Sequence, residues 1–227
     1  MRDLSKEVLN WWKKNIVALV TTAVVLFASS GKPGWIMAWL YLAGLLLVIM
    51  ANARFMSRDL MAERSRLQKD TQKWDIALSV FVALVGPLII WLTAGLDARF
   101  GWSGDIMTWL QIAALMLVIA GGLLVTWSMA ENRFFSATVR LQSERDHSVA
   151  KSGPYKYIRH PGYAGGIIAM LMTPVALGSW VALVPGALVA CGFVLRTILE
   201  DRFLQEELSG YRDYAGSVRC RLFPGVW

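Results

Sequence analysis

Two cysteines, two histidines and seven prolines in 227 residues leave little material for several common chemistries. Cys191 sits in an apolar run and Cys220 in a polar tail, which is neither a disulfide framework nor a paired metal motif. His147 and His160 lack the nearby Cys or acidic spacing of a zinc or iron site, so no metal is expected. No nucleophile elbow, P-loop or Gly-rich dinucleotide fingerprint occurs in a strand–turn–helix setting. Charge is scarce as well: 17% of residues are Asp, Glu, Lys or Arg, against about 25% in a typical soluble domain. Hydrophobic residues make up 56% of the chain and the mean hydropathy is +0.47. This balance excludes a soluble enzyme, a disordered chain and a fibrous repeat, and it points to a bilayer. The net charge of +7 would suggest nucleic acid in a soluble protein. In a membrane protein it follows from the Lys and Arg that gather in cytoplasmic loops, so no nucleic-acid partner is expected.

A hydrocarbon core about 30 Å thick takes about 20 helical residues. Four runs meet that length: Trp12–Ser30, Trp35–Ala53, Ile76–Leu96 and Ile106–Met129. The first lacks a clear cleavage site and reads as a span, not a signal peptide. A fifth apolar region, Tyr163–Ile198, is interrupted at Leu177-Gly178-Ser179-Trp180. Its halves, about 15 and 18 residues, are short for straight spans and predict a tight helical hairpin. The expected fold is all-α: a polytopic transmembrane helical bundle of four full spans, a C-terminal helical hairpin and a cytoplasmic C-terminal helix. Residues 1–130 form the N-terminal spans, and 131–227 hold the catalytic loop, hairpin and last helix.

Lys and Arg number 4 in residues 1–14, 6 in 54–74, 6 in 130–162 and 5 in 196–227, leaving Lys32 and Arg99 for the other side. The positive-inside tendency then puts both termini in the cytoplasm and makes the chain an integral protein of a bacterial inner membrane. Eight tryptophans, Trp11, Trp12 and Trp180 among them, fall near span ends as an interfacial belt requires. The first four runs hold no ionisable residue deep in the core and show no internal repeat, against a pump or transporter. The outer loops are minimal, so chemistry belongs to the cytoplasmic side, in segments 54–75, 130–162 and 196–227. The first of these reads either as a substrate gate or as an orientation signal lying on anionic headgroups.

Segment 153–165 reads Gly153-Pro-Tyr-Lys-Tyr-Ile-Arg-His-Pro-Gly-Tyr-Ala-Gly165. Gly153-Pro154 forms a turn, and Pro161 suits the first position of a helix. His160 then stands at a helix mouth, whose free N–H groups suit a carboxylate or phosphate. Arg159 would add a charge-assisted donor, while Gly162, Gly165 and Gly166 would leave room for a ligand against the backbone. A plain membrane-entry cap fits the same residues. Further on, Arg196 and Glu200 share a helix face where the last span leaves the apolar core, either as a functional pair or as an ordinary interfacial ion pair.

These two motifs, with Tyr211-x-x-Tyr214, Asn132-Arg-Phe-Phe-Ser136 and Val139-Arg-Leu-Gln142, resemble the isoprenylcysteine carboxyl methyltransferase family. Its members are integral membrane enzymes using S-adenosylmethionine and are related in motif to phospholipid methyltransferases; the likeness is to the bacterial-type branch and runs from about Asn132 to Phe223. The resemblance implies cofactor contacts at Gln142, His147, Val149, Ala150, Tyr155, His160, Pro161, Gly162, Tyr163 and Glu200. It also implies an acceptor site at Arg196, with Arg196 and Glu200 as the catalytic pair. The implied product is S-adenosylhomocysteine, the implied metal none, and the implied partners the bilayer and a lipophilic methyl acceptor. Asp201 stands where the family often has a second Glu, and Ala150 where a larger aliphatic residue is common. The rival to the enzyme is a non-catalytic membrane scaffold that keeps the fold.

Overall fold

The computed structural model describes residues 4–65, 71–225 and 227, without the side chain of Leu4. Among them the regular structure is entirely helical. Helix α1 runs Leu4–Ser30, α2 Ile36–Phe55, α3 Arg58–Ser65, α4 Lys73–Val80 and α5 Gly86–Phe100. Helices α6 (Thr108–Glu131), α7 (Pro161–Ala176), α8 (Leu183–Glu207) and α9 (Tyr211–Ser217) complete the set. Between α4 and α5, residues Phe81–Val85 form a π-turn. Pro87 lacks the N–H that would bond back to Ala83, and the turn before it widens accordingly.

Five helices, with α4–α5 counted as one continuous rod, are long and apolar enough to cross a membrane among the described residues. The four expected spans are present. The hairpin differs from expectation in one arm: α8 has 25 residues, because the charged stretch from Arg196 to Glu207 continues the same helix. It is long enough to cross, whereas α7 is a 16-residue apolar helix. Gly210, at φ +77°, takes the left-handed conformation that glycine tolerates and starts the separate α9.

Helix α7 packs at the centre. Gly121 of α6 and Gly165 of α7 meet backbone to backbone, and a Cβ on either would collide with the other's carbonyl oxygen. Small residues at such crossings let membrane helices approach closely. The cluster of Leu26, Tyr41, Ala94, Leu115, Val118 and Val175 joins α1, α2, α5, α6 and α7. At the end away from the 132–160 loop, Asp97 is buried and accepts from Ser103 and Ser179, stitching the α5–α6 connection to the α7–α8 turn. Trp11 leaves the expected lipid-facing belt and packs against Met56, Leu60 and Met129.

Helix α3 decides how segment 54–75 reads. Leu60 and Met61 are buried on α1 and α6 side chains, and Lys14 Nζ donates to the Ser65 carbonyl at 2.8 Å. Ser65 Oγ donates to Glu7 at 2.6 Å. The segment therefore supplies a fixed wall in place of a swinging gate over 58–65, while residues 66–70 of it lie outside the described residues.

Candidate active site

One cavity of about 280 Å³ opens at the end of the bundle that carries the 132–160 loop. Its inner end is apolar, walled by Val82 and Ala83 of the π-turn, Val125 of α6, Gly166 of α7 and Phe193 of α8. Its outer part is polar and continues into a shallower mouth beside Arg133, Lys151 and Lys156. Tyr163, Arg196 and Glu200 stand between the two regions. A mostly apolar recess with a few convergent polar groups is the usual form of a small-molecule site.

Helical spacing puts Arg196 and Glu200 one turn apart, yet they do not pair with each other. Arg196 is 6% exposed and grips Asp75, which is fully buried at the start of α4, through Nε at 2.6 Å and Nη2 at 3.0 Å. Nη2 also donates to the Ala137 carbonyl. Asp75 accepts in addition from the Val139 N–H and the Ser79 hydroxyl. The guanidinium lies 5.2 Å above the Tyr163 ring, and among the described residues its Nη1 is unbonded. Glu200 instead accepts from the Tyr163 hydroxyl.

Asp201 is a second hub, 1% exposed. Arg159 binds it with Nε at 2.7 Å and Nη2 at 2.8 Å, joined by Arg221, Gln205, Tyr211 and His160 Nε2 at 3.2 Å. Arg159 spends its remaining donor on the carbonyls of Val218 and Arg219. It fixes the C-terminal tail to the helix mouth and is no free donor to a ligand, contrary to the sequence expectation. In the tautomer that puts Nε2–H on Asp201, His160 would offer Nδ1 as an acceptor, which suits an ammonium better than a carboxylate.

The glycines also differ from expectation. Gly162 abuts the Phe135 ring, Gly165 the α6 backbone and Gly166 the Phe193 ring, so their small size serves packing more than ligand approach. Of the residues implied to touch the cofactor, His147, Val149, Ala150, Tyr155, His160, Gly162, Tyr163 and Glu200 line the cavity. Pro161 is buried at the start of α7 and Gln142 is fully buried, and neither is part of the lining. Gln142 donates to the Phe134 carbonyl and accepts from Arg145, which shapes the loop carrying His147. Tyr155 is held by Asn132 and the Ser128 carbonyl, and its own carbonyl accepts from Tyr214. Burial pushes the Tyr155 and Tyr214 hydroxyls up, so both stay protonated. Asp75, Arg64 and Phe193 were missed by sequence reasoning. Asp75 left only a faint signal, a lone acid at the border of an apolar run.

The His147 ring packs against Phe134, with centroids 4.5 Å apart and the planes tilted by 36°. Burial, followed by the charges of Arg140 and Arg145, lowers its pKa from 6.5 to about 4. The unfolded chain takes up that proton below about 6.5, whereas the folded loop takes it up only near 4. Stability should therefore be flat above that window and fall as the pH drops through it. Thermal unfolding of the detergent-solubilised protein from pH 7.5 down to 5 checks this, with His147→Gln expected to flatten the decline.

The sequence profile of the isoprenylcysteine carboxyl methyltransferase family matches residues 113–206, from α6 through nearly all of α8. Through this segment the chain is similar to the isoprenylcysteine carboxyl methyltransferase family. A probable protein-S-isoprenylcysteine O-methyltransferase of Oryza sativa subsp. indica is 30% identical over 111 residues, covering 48% of this chain and 58% of that protein. The protein-S-isoprenylcysteine O-methyltransferase of Homo sapiens is 29% identical over 126 residues, covering 55% of this chain and 43% of its own. That of Schizosaccharomyces pombe is 32% identical over 118 residues, 51% of this chain and 49% of its own. The chain thus aligns with about half the length of these relatives. The matched segment holds Arg196, Glu200, Asp201 and the 153–165 motif. Arg64, Asp75, Val82 and Ala83 reach the same neighbourhood from outside it.

Proposed function

We propose that this protein moves a methyl group from S-adenosylmethionine to the polar end of a lipophilic acceptor, of the isoprenylcysteine carboxylate type, within this cavity. The observation that carries the reading is the junction at Tyr163, Arg196 and Glu200, where a polar mouth meets an apolar inner end. The family match over 113–206 and the names of the relatives support the same direction.

The residues present fit the donor. Val149 and Ala150, packed with Tyr155 and Tyr214, make an apolar slot for a purine ring. Glu200 is an anion beside the place for a sulfonium and accepts from a ribose diol equally well. The face of Tyr163 is already covered by Arg196, so its hydroxyl, held on Glu200, is what it offers. His160 Nδ1 accepts from the ammonium of the methionine moiety, and Lys151 and Lys156 at the mouth attract its carboxylate. Gln142 and Pro161 act at one remove, the first by shaping the 142–147 loop and the second by starting α7.

The bound donor supplies a methyl group on a positively charged sulfur and leaves as S-adenosylhomocysteine. The protein's own work is alignment and exclusion of water. Displacement needs nucleophile and methyl about 3–3.5 Å apart and in line. Asp75 and the Ala137 carbonyl pin the Arg196 fork, so its free Nη1 points a fixed charge at the acceptor. Val82, Val125 and Phe193 keep the inner end dry, where electrostatic contacts are stronger.

Calorimetry with S-adenosylhomocysteine on detergent-purified protein tests the donor half. The wild type is expected to bind. Glu200→Gln is expected to weaken binding about tenfold or more, the scale of a lost hydrogen bond to a charged group. No binding by the folded wild type would leave the scaffold reading in its place.

A further inference from the structure

Four arginines are buried or half-buried around the cavity, and three have acids of their own. Arg140 pairs with Glu63 and Glu144, Arg159 with Asp201, and Arg196 with Asp75. Arg64, on α3, is the exception. It lines the cavity, its guanidinium lies 5.4 Å over the Phe135 ring and, among the described residues, makes a single 3.3 Å bond to the Phe135 carbonyl. No carboxylate of the described residues pairs with it. The charge is uncomfortable there: burial, and then the positive charge of Arg196, lower its pKa to about 10, which still leaves it protonated at neutral pH. A half-buried cation beside another cation is costly without an anion to meet it.

The fixed wall argues against a merely loose side chain. Helix α3 is anchored by Leu60, Met61 and Ser65, and Glu63, next to Arg64 in sequence, is committed to Arg140. The charges within the cavity then balance in an informative way. Among the described residues Glu200 is the anion without an arginine, and Arg64 the cation without an acid. A ligand pair with a sulfonium at the first and an anion at the second neutralises both.

We propose that Arg64 is the specificity-determining residue for the acceptor: it holds the carboxylate of a lipophilic acid, with the free Nη1 of Arg196 as second donor. This deepens the methyltransferase reading and rests on it for the direction of transfer, though not for the binding. It also gives α3, which lies outside the family-matched segment, a role in the site. A guanidinium fork suits a planar carboxylate, and the apolar lining of Val82, Val125 and Phe193 next to it suits the attached hydrocarbon.

The test is equilibrium binding to protein in nanodiscs of zwitterionic lipid, using an isoprenylated N-acetylcysteine and its uncharged carboxamide as paired probes. The wild type is expected to prefer the acid by about tenfold or more. Arg64→Gln should erase that preference, Arg64→Lys should keep part of it, and S-adenosylhomocysteine affinity should stay unchanged in both. An Arg64→Gln protein that binds S-adenosylhomocysteine normally and still prefers the acid would overturn the proposal, as would a wild type with no preference. Failure of the wild type to transfer label, with the acid preference present and lost in Arg64→Gln, would instead count against the methyltransferase reading alone.

Discussion

Asp75→Ala should be the most damaging single substitution in this chain, abolishing methyl transfer and costing about 3–5 kcal/mol of stability, the scale for breaking one side of a buried ion pair. The carboxylate is fully buried and satisfies four groups at once: Arg196 Nε and Nη2, the Val139 N–H and the Ser79 hydroxyl. Removing it strands the Arg196 guanidinium in an apolar setting within the field of Arg64. The structural and catalytic parts separate with a double variant. Asp75→Leu with Arg196→Met replaces the pair by apolar groups, an exchange that is often neutral or stabilising. It should recover most of the melting temperature and none of the transfer. Recovery of transfer along with stability would mean that Arg196 only braces α8 against α4.

Asp201→Ala should come second in magnitude, again about 3–5 kcal/mol, with a different signature. Asp201 is the point at which Arg159, Arg221, Gln205, Tyr211 and His160 converge. Its loss frees the tail after α9, since Arg159 can no longer be oriented to hold the Val218 and Arg219 carbonyls. Limited proteolysis should then cut beyond Ser217 in the variant and spare the wild type. Donor affinity should fall as well, because His160 loses the partner that sets its tautomer. Asp201→Glu, which keeps the charge and matches the residue common in the family, should retain more of both. A variant with an unmoved melting temperature and an uncut tail would show that the hub is not what closes the C-terminus.

The spans were legible in the sequence because apolar runs of bilayer length have few alternatives. The start of α7 at Pro161 was legible because proline suits the first position of a helix. Three things were not. The length of α8 was hidden because Arg196 to Glu207 is polar, and polarity marks where a helix leaves the core without saying that it ends. The partner of Arg196 was hidden because the nearest acid in sequence, Glu200, lies one turn away, while Asp75 is 121 residues distant and meets it only through the packing of α4 on α8. The part played by segment 54–75 was hidden because six basic residues read as an orientation signal, and only the burial of Leu60 and Met61 turns Arg64 toward the cavity. The glycines teach the converse lesson: their positions were visible, but whether a ligand or a neighbouring helix fills the space is decided by the fold.

Transfer of labelled methyl from S-adenosylmethionine to an isoprenylated N-acetylcysteine, by purified protein in nanodiscs, tests the central claim most directly. The account predicts alkali-labile label, as a methyl ester, in the lipid-soluble fraction, absent with Asp75→Ala and with the carboxamide in place of the acid. Folded protein that binds the donor and the acid yet leaves the label entirely on the donor would contradict it.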